Sequence, residues 1–117
     1  MLTGRRILIV EDDPIIALDL SGTLVSGGMI VVGIATTTRT ARKLAAENVI
    51  DAAVLDVRLE WEDTLNFAKE LQAKNIPYLF QTSDTRLVNG FSPTPIVLAK
   101  PFTPERLIAA LRKLLST

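Results

Sequence analysis

Histidine and cysteine are both missing from the chain. Without imidazole there is no Ser-His-Asp machinery, no histidine acid-base work and no histidine-ligated metal. Without thiols there are no disulfides, no thiolate nucleophile and no zinc-thiolate cluster. Neither sign of charge is in excess: 13 Lys plus Arg against 13 Asp plus Glu give a formal net charge of zero. A chain that neutral has no global field to hold a polyanion, which argues against nucleic acid as the main partner. Long apolar runs are lacking too. Arg5-Arg6 precede only Ile7 to Val10 before acids follow, too short for a secretory signal or for the roughly 18 apolar residues of a membrane span. A cytoplasmic location without membrane attachment is expected. The chemistry left to the chain rests on carboxylates, hydroxyls, lysine, arginine and a hard metal ion.

What is present has an ordinary globular balance, 48% apolar and 22% charged over 117 residues. That is enough for one domain and too little for two, so a single domain over 1–117 with no output domain is expected. Five short apolar runs punctuate the chain: Ile7 to Val10, Met29 to Ala35, Ala52 to Leu55, Tyr78 to Phe80 and Ile96 to Ala99. They are continuous rather than alternating, as in strands covered on both faces. Helical spacing fills the intervals. Ile16, Leu20 and Leu24 mark one helix, stopped by Gly27-Gly28. Ala41, Leu44 and Ala45 mark a second, and Leu65, Phe67, Ala68 and Leu71 a third. Leu107, Ile108, Leu111, Leu114 and Leu115 form the last, entered through Thr103-Pro104 as cap and first-turn proline. Alternating strand and helix predict a parallel α/β sheet with right-handed crossovers. The stretch from Asp84 to Pro95, with Gly90, Pro93 and Pro95, predicts only a short or irregular helix.

Ligands of open parallel sheets bind at the carboxyl ends of the strands. Glu11, Asp12 and Asp13 follow the first run and Asp56 the third; Thr82 and Ser83 follow the fourth, Lys100 and Pro101 the fifth. Each alone has a bland explanation. Asp13 before Pro14 reads as a helix N-cap, Asp56 as a turn residue, Lys100 as a surface lysine, and Thr82 and Ser83 as loop hydroxyls. Together they read differently. Carboxylates gathered at one edge repel one another unless a cation joins them. Oxygen ligands alone select a hard ion, and Mg²⁺ suits a site that also handles phosphate. A carboxylate can attack phosphorus to form an acyl phosphate, while a cation, an ammonium and a hydroxyl neutralise the transferred group.

Four segments carry a resemblance: Ile7-Leu8-Ile9-Val10-Glu11-Asp12-Asp13-Pro14, Val54-Leu55-Asp56-Val57-Arg58-Leu59, Gln81-Thr82-Ser83 and Lys100-Pro101-Phe102. In that order, and over essentially the whole chain, they resemble the receiver domain of two-component response regulators. The resemblance implies a flavodoxin-like fold, a five-stranded doubly wound sheet of order 2-1-3-4-5 flanked by helices. It implies that Asp56 accepts a phosphoryl group from a phosphohistidine of a partner kinase or phosphotransfer protein. Asp12 would then bind Mg²⁺ directly with Glu11 beside it, and Asp56 and the backbone carbonyl of Arg58 would complete the ligands. Thr82 would hydrogen-bond the phosphoryl oxygen and Lys100 would pair with it. Signalling would follow by a conformational or order change, centred on residues 84–95, that a downstream protein reads.

The chain departs from the family pattern in places. Leu59 to Thr64 lacks the Pro and Gly common in that loop, and Val97 stands where relatives often carry Tyr or Phe. The intervals from Asp56 to Thr82 and from Thr82 to Lys100 are short for the family, and with the Tyr-Leu-Phe-Gln-Thr ending they resemble a divergent sub-group of standalone receivers. A binding module that keeps the fold without phosphate is the alternative. An aspartate-dependent phosphatase would need a second Asp two residues after the nucleophile, where Arg58 stands; a signalling protein, not an enzyme, is expected. Trp61 reads equally as a core anchor or an exposed contact, and Arg39, Arg42 and Lys43 read as a solvated helix face.

Overall fold

The computed structural model describes residues 2–116. Five parallel strands form one sheet, in which the second strand of the chain lies outermost and is followed by the first, third, fourth and fifth. In chain order the elements are β1 (Arg6–Val10), α1 (Pro14–Ser26), β2 (Ile30–Ala35), α2 (Thr38–Glu47), β3 (Ala52–Asp56), α3 (Leu65–Ala73), β4 (Tyr78–Thr82), β5 (Val97–Ala99) and α4 (Pro104–Leu115). Between β4 and β5 only one 3-10 turn forms, Thr85–Val88. This is the flavodoxin-like receiver architecture that the sequence resemblance implied.

The continuous apolar runs follow from covering both faces of the sheet. Along β1, Leu8 and Val10 join Leu55, Phe67, Leu71 and Phe80 on the α2–α3 side. Ile7 and Ile9 join Leu20, Leu24, Val54, Leu79, Leu107 and Leu111 on the α1–α4 side. Successive side chains of one strand thus feed two cores, and each fully buried Leu or Ile contributes about 1.5–3 kcal/mol. Leu114 and Leu115 complete the α4 stripe against the second core.

Caps set the helix ends that aim the site. Asp13 Oδ1 accepts from the amides of Ile15 and Ile16 at 2.9 and 3.3 Å, with Pro14 in the first turn. Thr103 Oγ1 accepts from the Arg106 amide at 3.2 Å, and Pro104 follows it. Gly28, at φ +84°, turns the chain after α1 so that Met29 N reaches Leu24 O at 3.0 Å. Gly33 serves close approach: a Cβ there would lie 2.8 Å from Leu44 Cδ1, so the Leu44 side chain of α2 packs directly over the β2 backbone.

The β1–β2 register slips once. Ile7 faces Val31 but Leu8 faces Gly33, which leaves Val32 as an extra residue on the outermost strand. β5 begins at Val97 rather than Ile96, although Ile96 O still accepts from Phe80 N at 2.9 Å. The segment after the 3-10 turn has more anchorage than its composition suggested. Phe91 packs edge-on to Phe80 and Tyr78, with centroids 5.2 and 6.4 Å apart, and Val88, the last residue of the turn itself, is buried.

Candidate functional site

Four strand ends meet at the carboxyl edge of the sheet. Because β1 and β3 are neighbours, their ends bring Glu11, Asp12 and Asp56 together, each offering a carboxylate oxygen within 4.8 Å of the others. β5 lies beyond β4, and its following residue Lys100 reaches back across that strand. Lys100 Nζ stands 3.0 Å from Glu11 Oε1 and 3.1 Å from Asp56 Oδ2. The backbone helps place it there, because Lys100 N donates to Thr82 O at 2.8 Å.

Glu11 is the deepest charge, at 1% exposure. Burial first, and then the neighbouring Asp56 carboxylate, push its pKa up against the opposing effect of Lys100. Burial disfavours the Lys100 ammonium, but the hydrogen bonds and charges of Glu11 and Asp56 outweigh it and raise its pKa. The lysine is thereby held in its charged form between two carboxylates. Glu11 has two further donors: Asp13 N at 3.2 Å and Gln81 Nε2 at 3.0 Å.

Asp56 ends β3, buried, with its Oδ1 accepting from Arg58 N at 3.3 Å. A cavity of about 310 Å³ opens in front of it, lined by Arg58, Thr82, Ser83, Asp84, Leu87 and Lys100. Thr82 belongs to this wall, and its hydroxyl bonds to the Asp84 backbone rather than to Asp56. Its hydroxyl donates to Asp84 O at 3.2 Å and accepts from Asp84 N at 3.1 Å.

The loop after Asp56 is shaped by hydrogen bonds in place of Pro and Gly. Thr64 Oγ1 donates to Asp56 O at 2.7 Å, and Thr64 N to Val57 O at 2.9 Å. The backbones of Arg58 and Asp63 face each other as a single antiparallel pair, and Leu59 N donates to Glu62 O at 2.8 Å. Glu62 then fastens the loop to the start of α2, accepting from Thr38 Oγ1 at 2.5 Å and Thr38 N at 3.1 Å. Those two bonds hold the Glu62 carboxyl below its ordinary pKa. Arg42 is not simply solvated: it donates to Thr38 Oγ1 and grips both oxygens of Glu70 on α3, at 2.7 to 3.0 Å. Trp61 at the tip of the loop is 89% exposed, so it is not a core anchor.

The sequence pattern located Glu11, Asp12, Asp56, Arg58, Thr82 and Lys100 at this edge. It missed Gln81, Thr64 and the Glu62–Thr38 fastening. For Gln81 the available signal was a polar residue inside an apolar strand. For the other two, the partners lie far apart in sequence or bond to main chain, and no local pattern marks them.

The donor set suits a hard divalent cation. Three carboxylates supply oxygen ligands, and a single ammonium leaves their charge partly uncompensated. Receiver domains in general bind Mg²⁺ at such an acidic pocket.

The chain is similar to known proteins. The chain is 33% identical to the phyllosphere-induced regulator PhyR of Methylorubrum extorquens, over 96% of this chain and 44% of that protein. It thus spans less than half the length of that relative. The crystal structure of the response regulator PhyR from Brucella abortus superposes with a TM-score of 0.88 at 31% identity, covering 97% of this chain and 49% of that one. The solution structure of SdrG from Sphingomonas melonis Fr1 superposes with a TM-score of 0.80 at 37% identity, covering 99% and 100% of the two chains. The family model of the response regulator receiver domain matches residues 7–112, and the chain belongs to that family.

Proposed function

We infer that the chain is a phosphoacceptor receiver that takes a phosphoryl group onto Asp56. The observation that carries this reading is the Lys100 ammonium bridging Asp56 and Glu11 at 3.1 and 3.0 Å, on the wall of a cavity that opens before Asp56. A carboxylate oxygen of Asp56 forms the new O–P bond while the N–P bond of a donor phosphohistidine breaks, its electron pair leaving with the imidazole nitrogen. With no histidine among these 117 residues, the donor histidine lies outside them, on a sensor kinase or a phosphotransfer protein.

Lys100 pairs with the transferred phosphoryl oxygens. The Thr82 hydroxyl offers a further hydrogen bond once it gives up Asp84. Glu11, Asp12, Asp56 and the Arg58 carbonyl would hold Mg²⁺. When bound, that ion supplies charge neutralisation for the transferred group. A protein donor is also supported by the outer face of α1. Ile15, Leu18 and Val25 are exposed there along one stripe.

The acyl phosphate adds about one negative charge to the pocket. Lys100, Thr82 and the 84–95 segment then rearrange, and a downstream protein reads the change. The reading covers one domain, in a cytoplasmic setting, with protein partners and neither nucleic acid nor membrane; no helix among the described residues is long and apolar enough to cross a membrane.

Intact mass after incubation with Mg²⁺ and acetyl phosphate tests the reading. Gain of one phosphoryl unit is expected, lost in Asp56→Asn and in chelator. A phosphorylation-independent binding module is the second reading, favoured by Val97 in place of an aromatic and by the Thr82 hydroxyl engaged with Asp84. No label, together with no binding of beryllofluoride and Mg²⁺, overturns the first reading in favour of the second.

A further inference from the structure

We propose that Gln81 is a positioning residue for phosphoryl acceptance, whose amide steadies Glu11 so that Lys100 is free to leave it for the phosphoryl group on Asp56. This rests on the phosphoacceptor reading above.

Gln81 lies on β4 beside Asp56 of β3 and is 0% exposed. Its Nε2 donates to Glu11 Oε1 at 3.0 Å, the same oxygen that Lys100 Nζ contacts at 3.0 Å. A reversed amide would set two acceptors against each other, so the NH₂ group must face Glu11. The consequence is that Gln81 Oε1 is buried and accepts no hydrogen bond from any described residue. An orphaned amide oxygen in the core is destabilising. Methionine or leucine would fill the same space without it, so packing does not account for glutamine here. What the amide contributes is a neutral donor to a buried carboxylate.

Such a donor matters because Lys100 serves two acceptors at once. Phosphoryl oxygens on Asp56 draw the ammonium toward them and away from Glu11. Glu11 has almost no access to water, and its one other donor among the described residues is Asp13 N, on the opposite oxygen. With Gln81 in place, Glu11 Oε1 keeps a partner when Lys100 moves. Without it, Lys100 is the sole donor to that oxygen and is held on Glu11.

Gln81→Met and Gln81→Leu test this against wild type in three measurements. These are the rate of mass gain from acetyl phosphate at saturating Mg²⁺, Mg²⁺ affinity by titration calorimetry, and thermal unfolding in chelator. Labelling is expected to slow by about tenfold, the scale of one hydrogen bond to a charged group. Mg²⁺ affinity is expected to hold or rise, because the carboxylates are less satisfied. The unfolding temperature is expected to hold or rise, because the orphaned oxygen is gone. Labelling at the wild-type rate overturns the proposal. So does a parallel loss of labelling, Mg²⁺ affinity and thermal stability in both variants, which marks Gln81 as a packing residue. Wild-type protein that takes no label, with no beryllofluoride binding, overturns the phosphoacceptor reading itself and this proposal with it.

Discussion

Replacing Asp12 by Asn is expected to stabilise the protein in chelator and to weaken it, relative to wild type, in excess Mg²⁺. Glu11, Asp12 and Asp56 offer carboxylate oxygens within 4.8 Å of one another, and Lys100 is the ammonium set among them. Removing the charge of Asp12 deletes two repulsions and one attraction, a net of one repulsive pair. At that separation and an effective dielectric of ~40, between a protein surface and water, one pair is worth about 1–2 kcal/mol. Unfolding entropy of ~2.1 cal/mol/K per residue gives a chain of this length ~0.25 kcal/mol/K, so the midpoint rises by about 4–8 °C. Mg²⁺ at a hundredfold excess over its dissociation constant stabilises the wild type by about 2.7 kcal/mol, or ~11 °C. The variant has lost a ligand and recovers only a small part of that. The two unfolding temperatures should therefore cross along a Mg²⁺ titration followed by circular dichroism. A variant no more stable than wild type in chelator would mean that repulsion does not shape this edge. A gap that stays constant as Mg²⁺ rises would mean that Asp12 lies outside the cation site.

Lys100→Met leaves the buried Glu11 and Asp56 carboxylates without their ammonium and should cost about 3 kcal/mol in chelator, read by denaturant unfolding. The loss should shrink as pH falls, since the Glu11 pKa is already raised and the carboxyl then takes up a proton; a pH-independent loss would contradict this account. Glu62→Gln should cost about 0.5–1 kcal/mol near neutral pH, a modest figure because the carboxylate is largely exposed. Its folded pKa lies below the ordinary value of 4.5, so the contribution is present above pH 4.5 and vanishes as pH falls through the folded pKa; equal stability of the two proteins at pH 7 would refute the fastening. Phe91→Ala removes a half-buried ring from the Tyr78–Phe80 cluster and should cost about 2 kcal/mol while raising amide exchange over residues 85–95. Unchanged exchange there would show that the ring does not anchor the segment.

The elements were legible because the sheet is covered on both sides: β1, β3 and β4 are buried throughout or nearly so, which forces uninterrupted apolar runs. The caps at Asp13 and Thr103 were legible because a cap is a local motif with proline beside it. The site was legible in part, since strand ends fix which residues reach one edge. What stayed hidden depends on lateral neighbours. Nothing local in the order of residues says that Arg42 on α2 will meet Glu70 on α3, or that Glu62 will reach Thr38. Phe91 was hidden for another reason, lying alone in an aperiodic stretch where a single ring makes no pattern.

The extra residue on β2 bears on how copies of this chain behave when crowded. An outer strand carries a row of unpaired amides and carbonyls that a second molecule can match, and β2 also exposes Ile30 and Ile34. Val32 breaks the spacing of that row, so an incoming strand in regular register satisfies one half of β2 and misses the other. The opposite border is β5, only three residues long. The two margins thus resist main-chain stacking by different means, one by mismatch and one by brevity. Deleting Val32 would restore an even border, and the first sign should be turbidity at high protein concentration.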